Sequence, residues 1–463
     1  MILRTKIHSV GGHNTFCDDS NYITYKIDNI QNRAPTLQTF IDFISFKDPN
    51  VLYVVLGMFF INGSSAMIGT FAFLRKRALI GDAIAHALLP GICLGFMFTG
   101  EKNLLYLFIG AFATGWFSTY LVDYIVNNSK VKQDAAIGIV LSVFFAVGIV
   151  LLTYIQNANY TDHGGLNQFL FGQAAAIGKS EIGIFAIIFA VIALSILLFY
   201  KGFMTVAFNP DFAKSIGLPV KSIEFLITSL TVLSIASGIQ ALGVVLMSAL
   251  IVTPAAAARF WTNNLTKMLW IAAVFSIFSG FVGAYVSYAK SGTPTGPWVV
   301  MFLSLITLLS FILSTRRGIL ARYLKARKNR LKILHENILK AIYQFHEKES
   351  RKADLDLPLS TTDILKVRIF DTRELQKGLK RLIRKGFLEK SGNRFLLTTQ
   401  GTKESKRIVR LHRLWEQYLL KRTTIDAYHV HSGAEAIEHI LSPEIEKELE
   451  RELGIEGIPE EDF

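Results

Sequence analysis

The sequence predicts an all-α polytopic membrane domain of eight or nine transmembrane helices, followed by a soluble domain of helices and a short hairpin. Two observations carry this. The 463 residues are 51% apolar, with a mean hydropathy of +0.37, too apolar for one soluble chain of that length. The composition then turns sharply charged and polar after Ser314. The net charge of +13 lies largely outside the apolar region, where a positive excess is first a topology signal and only second a nucleic-acid signal. Cys17 and Cys93 are far apart and specify neither a disulfide framework nor a cysteine-based zinc site.

Residues 1–48 form a polar leader. It has no apolar signal-peptide core and ends in TLQTFIDFISF, an amphipathic approach to a membrane. From residue 49 to 315 apolar runs follow one another, each near the ~20 residues that cross a bilayer. They read as 51–73, 82–99, 104–127, 134–155, 180–200, 222–240, 243–260, 267–289 and 295–315. Residues 222–260 read either as a helix pair or as one span with a re-entrant piece, hence eight or nine. Basic residues set the orientation. Arg75, Lys76 and Arg77, then Lys130 and Lys132, then Lys201, Lys214 and Lys221, then Arg259 and Lys267 all fall on one side, the expected cytoplasmic side. The loop QNANYTDHGGLNQFLFGQAAAIG has no Lys or Arg and belongs opposite. With nine spans the N-terminus lies outside, and with eight it lies inside.

The stretch LRKRALIGDAIAHALLPGICLGFMFTG (74–100) carries the chemistry. Asp82 and His86 are four apart, one helical turn, and share a face. Ionisable groups in a membrane helix are costly and line a pathway or pair with a partner. A carboxylate and an imidazole together suit a divalent zinc, manganese or iron ion. On spacing alone, Asp82 as a helix cap and His86 as an interhelical hydrogen bonder fit equally well. Gly91 and Gly95 after Pro90 give the small-xxx-small spacing of closely packed membrane helices. GDAIAHALLPG resembles the signature of the permease subunits of zinc/manganese/iron-type ABC importers, close to LR-x-x-x-L-x-GDA-x-x-HA-x-LPG. The resemblance extends over residues 50–315. It implies that Asp82 and His86 contribute to the metal path. It also implies three partners: a separate ABC ATPase, an extracytoplasmic metal-binding protein and a second permease copy or paralogue.

GQAAAIGKS (172–180) imitates a phosphate-binding loop, but five residues separate Gly172 from Gly178 where that motif needs four. No other nucleotide loop, nucleophile constellation or catalytic metal motif is legible, so the chain reads as a transporter subunit and not an enzyme. In FNPDFAKSIGLPVKS (208–222), Asp211 to Ser215 can start a short helix that Gly217 and Pro219 end. It is similar to the coupling segment of these importers, which seats in a groove of the ATPase, with Asp211, Ala213 and Gly217 the matching positions. In 243–262, Pro254 and four alanines read as a helix-packing face.

Residues 316–330 are a basic juxtamembrane helix suited to anionic lipid headgroups. Next come HENILKAIYQFHE, STTDILKVRI and DTRELQKGLKRLIRKGF as helices, then strands FLEKSG and RFLLTT joined at Gly392 and Asn393. Three helices and a hairpin over 331–400 make a winged helix-turn-helix pattern. Lys377, Lys380, Arg381, Arg384 and Lys385 ride on its third helix, where DNA-contacting residues would be. A winged helix can equally dock a protein.

In 401–463, His412 and Glu416 are one turn apart, and Glu435, Glu438 and His439 share a face at i, i+3, i+4, with His431 just ahead. RLHRLWE and VH-x-x-A-E-x-x-EH-x-LS resemble the diphtheria-toxin-repressor and manganese-repressor family, over about 331–455. The resemblance implies a helical metal-binding and dimerisation domain holding a divalent manganese, iron or zinc ion. His412, Glu416 and His431 fall at its ancillary ligands, and Glu435, Glu438 and His439 at its primary site. Glu435 in place of a cysteine matches the manganese-responsive branch and gives the harder donor that manganese prefers. The pattern departs at the first helix, where Asn337 and Lys340 stand at ligand positions; a protonated lysine has no lone pair to give. The whole therefore reads as a cell-membrane importer permease with a cytoplasmic metal-sensing tail. The alternative is a membrane-tethered, metal-responsive transcription regulator.

Overall fold

A computed structural model describes residues 37–75, 77, 79–100, 103–158, 172, 174, 177–290, 293–349, 357–422 and 443–453. The chain divides into two compact units, up to Leu320 and from Ala321.

In the first unit, helix α1 (Leu37–Ile44) precedes α2 (Pro49–Leu74), α3 (Ile80–Thr99), α4 (Leu104–Asn128), α5 (Gln133–Asn157), α6 (Lys179–Phe208), the short α7 (Pro210–Ser215), α8 (Val220–Leu242), α9 (Val244–Trp261), α10 (Leu265–Ala289) and α11 (Thr295–Leu313). Among the described residues, nine of these helices are long and apolar enough to cross a membrane. The 222–260 stretch is a helix pair, broken where Gly243 takes φ +84°, a left-handed conformation that glycine adopts without strain. The fifth span exceeds its expected end at residue 200. Nothing in the sequence stops it there, so α6 bends at Phe199 (φ −102°, ψ 16°) and continues past Lys201 to Phe208. Its 30 residues make about 45 Å at 1.5 Å per residue, more than a bilayer core needs. The amphipathic α1 buries Phe43 edge-on against Phe281 and Tyr285 of α10.

Among the described residues, helix α3 is the most buried of the nine spans, and α6 and α11 are the least. Its glycines explain this. A Cβ at Gly91 would stand 2.1 Å from the carbonyl oxygen of Gly110 in α4, and one at Gly110 would stand 2.2 Å from that of Gly91. Gly95 packs on the Tyr106 backbone in the same way. Without a hydrophobic drive between helices in lipid, such backbone contact holds the bundle.

In the second unit, α12 (Ile319–Glu349) is one continuous helix. The basic segment 316–330 and the helix expected after it are therefore not separate elements, since no Gly or Pro interrupts residues 319–349. Helices α13 (Thr361–Val367) and α14 (Thr372–Arg384) follow, then the antiparallel pair β1 (Leu388–Ser391) and β2 (Arg394–Leu397), α15 (Thr399–Arg422) and α16 (Pro443–Leu453). Gly392 turns the hairpin at φ +63°, as a two-residue loop with glycine first requires. Leu359 extends the hairpin through paired backbone hydrogen bonds with Phe395. Ile338, Ile342, Leu375, Leu379, Leu382, Leu388 and Ile408 belong to one core.

Candidate functional site

Asp82 lies near the start of α3, where the helix dipole favours a negative charge. His86 lies one turn on. His86 Nε2 is 3.5 Å from Asp82 Oδ1, with side chains 15% and 38% exposed. The imidazole packs edge-on against Phe145 of α5, and its Nδ1 is enclosed without a hydrogen-bond partner among the described residues. Ser248 of α9 stands beside the same carboxylate. Among the described residues no three or more His, Cys, Asp or Glu side chains gather as a metal cage. The pair thus offers two donors of different hardness and leaves other coordination positions to water or to groups arriving later.

The α2–α3 corner just before this pair holds two ion pairs. Arg75, whose side chain is 7% exposed, reaches Glu224 of α8 at 2.5 Å, and Arg77 reaches Asp123 of α4 at 3.1 Å. Burial and then the neighbouring Arg77 charge push the Arg75 guanidinium below its ordinary value, with the facing Glu224 and Asp123 carboxylates opposing. By sequence these arginines read as topology signals, and Arg75 also as part of the LR-x-x-x-L-x-GDA motif. Their partners lie 149 and 46 residues away, a pairing no local pattern announces.

Helix α7 is capped at both ends. The Asn209 side chain accepts the Phe212 N–H at 3.0 Å, and Gly217, at φ +82°, lets the Leu218 N–H reach the Ala213 carbonyl at 3.0 Å. This is the glycine-dependent helix stop with its 6→1 bond. Ala213 is buried and Asp211 exposed. Phe212 and Ile216 stand 55% and 54% exposed beside them, two apolar side chains that sequence reading missed. Exposure of an apolar side chain is a signal composition alone does not give.

On the tail, His412 Nε2 and Glu416 Oε1 are 3.0 Å apart on α15, with His412 buried. His431, Glu435, Glu438 and His439 lie outside the described residues. Asn337 and Lys340 on α12 are both enclosed; the Asn337 Oδ1 has no hydrogen-bond partner among the described residues, and Lys340 is 2% exposed. The donor chemistry here fits a metal in part. Asn337, His412 and Glu416 can give lone pairs, whereas a protonated Lys340 cannot.

Lys377, Lys380 and Arg384 are exposed on α14, opposite Leu375, Leu379 and Leu382. Arg381 and Lys385 instead line a cleft of about 470 Å³ with His335. Burial, then the Lys385 and Arg381 charges, push the His335 imidazole below its ordinary value, with Glu336 opposing. The folded state therefore holds this proton less tightly than the unfolded chain. Stability is full above the unfolded value of about 6.5 and falls as pH drops through it. Once exchange is corrected for its intrinsic pH dependence, the protection of the α12 amides is expected to fall more on acidification in wild type than in His335→Gln; an equal fall would assign the effect to other groups.

Residues 47–314 match the model of the ABC 3 transport family. Residues 398–455 match the model of the iron dependent repressor, metal binding and dimerisation domain. The chain is 37% identical over 378 residues to the manganese transport system membrane protein MntC of Bacillus subtilis, spanning 81% of this chain and 86% of that one. It is 40% identical over 291 residues to the zinc transport system membrane protein TroC of Treponema pallidum, spanning 63% and 97%. Residues 1–314 are only about two thirds of the chain, so the Bacillus match necessarily includes part of the tail. Among solved structures, PsaBC from Streptococcus pneumoniae in complex with Fab is similar at 29% identity and TM-score 0.56, spanning 62% of this chain and 99% of that one.

Proposed function

The chain belongs to the ABC 3 transport family, and from that membership we propose that it is the membrane permease of an importer for a divalent transition metal, manganese, zinc or iron. The observation that carries this reading is the Asp82–His86 pair on the most enclosed span. The ion is the cargo. The carboxylate and imidazole take it from water for a moment, and a site of two donors among the described residues holds it without trapping it. An extracytoplasmic metal-binding protein delivers the ion, a second permease copy or paralogue completes the path, and a separate ABC ATPase supplies energy. Helix α7 is the seat for that ATPase, with Asp211, Ala213 and Gly217 at the matching positions and Phe212 and Ile216 as its apolar contact. The basic connections lie in the cytoplasm of a cell-membrane protein, and with them the tail. Uptake of manganese, zinc and iron by cells expressing the chain with its cognate ATPase tests this. Energised accumulation of one of them is the expected result, and accumulation of none would overturn it.

The tail is a metal-responsive regulator of transport. Helices α12 to α14 with the β1–β2 hairpin supply a winged helix-turn-helix, and His412, Glu416, His431, Glu435, Glu438 and His439 hold the regulatory ion. The Lys340 ammonium replaces one ligand on α12. His439→Ala or Glu438→Gln is expected to raise the internal metal concentration needed to inhibit uptake and to leave the uninhibited rate near wild type. Collapse of that rate in an inserted, ATPase-paired protein would remove the sensor assignment. The exposed Lys377, Lys380 and Arg384 favour a second reading, a membrane-tethered transcription regulator with α14 on DNA. A metal-dependent footprint by the whole protein would support that reading.

A further inference from the structure

We infer that the buried Arg75–Glu224 ion pair is the link that carries movement of α7 to the Asp82–His86 pair, and that the two residues position the path for each cycle. The inference rests on the transport reading above and adds the residues that couple it to ATP.

The chain geometry supports both halves of this link. On one side, Glu224 sits in the second turn of α8, and only Ile216–Pro219 separate α8 from α7. That connector is stiff. Leu218 is hydrogen-bonded to Ala213, Gly217 to Lys214, and Val220 to Leu218. A shift of α7 therefore moves Glu224 with little slack. On the other side, Arg75 caps α2, its N–H bonded to the Phe71 carbonyl. The corner it begins is knitted by Arg77 to Ala72, Ile80 to Arg77 and Asp82 to Leu79. The Arg77–Asp123 pair then ties that corner to α4. Movement of Arg75 is thus delivered to the first turn of α3, where Asp82 stands.

The pair suits this role physically. The Arg75 guanidinium is almost fully enclosed, so leaving Glu224 would strand a charge away from water, and the two move together. A surface pair, screened and mobile, could not transmit a displacement in that way.

The test is ions moved per ATP hydrolysed, in vesicles holding the full permease–ATPase complex and fed by the binding protein. Glu224→Gln is expected to keep hydrolysing ATP while ions per ATP fall at least about fivefold, the lower end of ordinary coupling energies. The swapped pair, Arg75→Glu with Glu224→Arg, is expected to recover part of the ratio. Uptake and hydrolysis falling in parallel, or an unchanged ratio, would overturn the link and leave the pair a structural brace. If Glu224→Gln fails to assemble because Arg75 is left unpaired, the double variant Arg75→Gln/Glu224→Gln strands no charge and takes its place. Failure of that variant to assemble also counts against the link. Wild-type vesicles that move no metal would defeat the transport reading instead.

Discussion

Replacing both Asp82 and His86 by alanine is expected to abolish metal uptake while leaving membrane insertion, pairing with the ATPase and basal ATP hydrolysis in place. The double substitution is the cleaner variant. Each single change leaves the other polar group without its neighbour in a setting where His86 is 15% exposed, whereas the double change removes both together. The expected loss is large. Removing a group that merely orients a metal ligand costs about 10–100-fold in affinity, and here both direct donors disappear. The other reading of the pair, a helix cap with a hydrogen-bonding histidine, predicts something different: lower thermal stability, with uptake per inserted complex unchanged. Uptake normalised to inserted protein separates the two.

Gly91→Ala is expected to destabilise the membrane domain by roughly 1–3 kcal/mol, as overpacked cores do, and to reduce uptake with it. In an isolated helix the same change would gain about 1 kcal/mol, so the sign of the effect decides. The new Cβ would meet the Gly110 carbonyl oxygen at 2.1 Å and the Thr114 hydroxyl at 2.2 Å. The first is backbone and cannot swing aside, so α3 and α4 must separate, and α3 carries Asp82 and His86. Gly138→Ala in α5 is the control, because a Cβ there meets nothing within 4 Å. Thermal melts of the purified protein should show a lower midpoint for Gly91→Ala and an unchanged or higher one for Gly138→Ala.

What the sequence made legible was local. The Asp82–His86 spacing, the Gly91–Gly95 face and the turn glycines at 217 and 392 all act within a few residues, through helical period or a left-handed φ. The spans were legible for the same reason, since a bilayer demands long apolar runs. What escaped was long-range or continuous. The partners of Arg75 and Arg77 could not be read because contacts across 149 and 46 residues leave no periodicity. The bend at Phe199 has no proline or glycine beside it to mark it. The continuity of α12 was hidden by a change of composition within one helix, from basic to amphipathic, which resembles a boundary. Arg381 counted with the outward basic residues by spacing, yet it lines the His335 cleft, because one face of α14 meets α12.

The most direct measurement is ATP-dependent accumulation of manganese, zinc or iron in vesicles reconstituted with the permease, its ATPase and the binding protein. The account predicts that one ion accumulates when ATP is present, and that the Asp82→Ala/His86→Ala protein accumulates none. An intact, ATP-hydrolysing wild-type complex that moves none of these ions would contradict it.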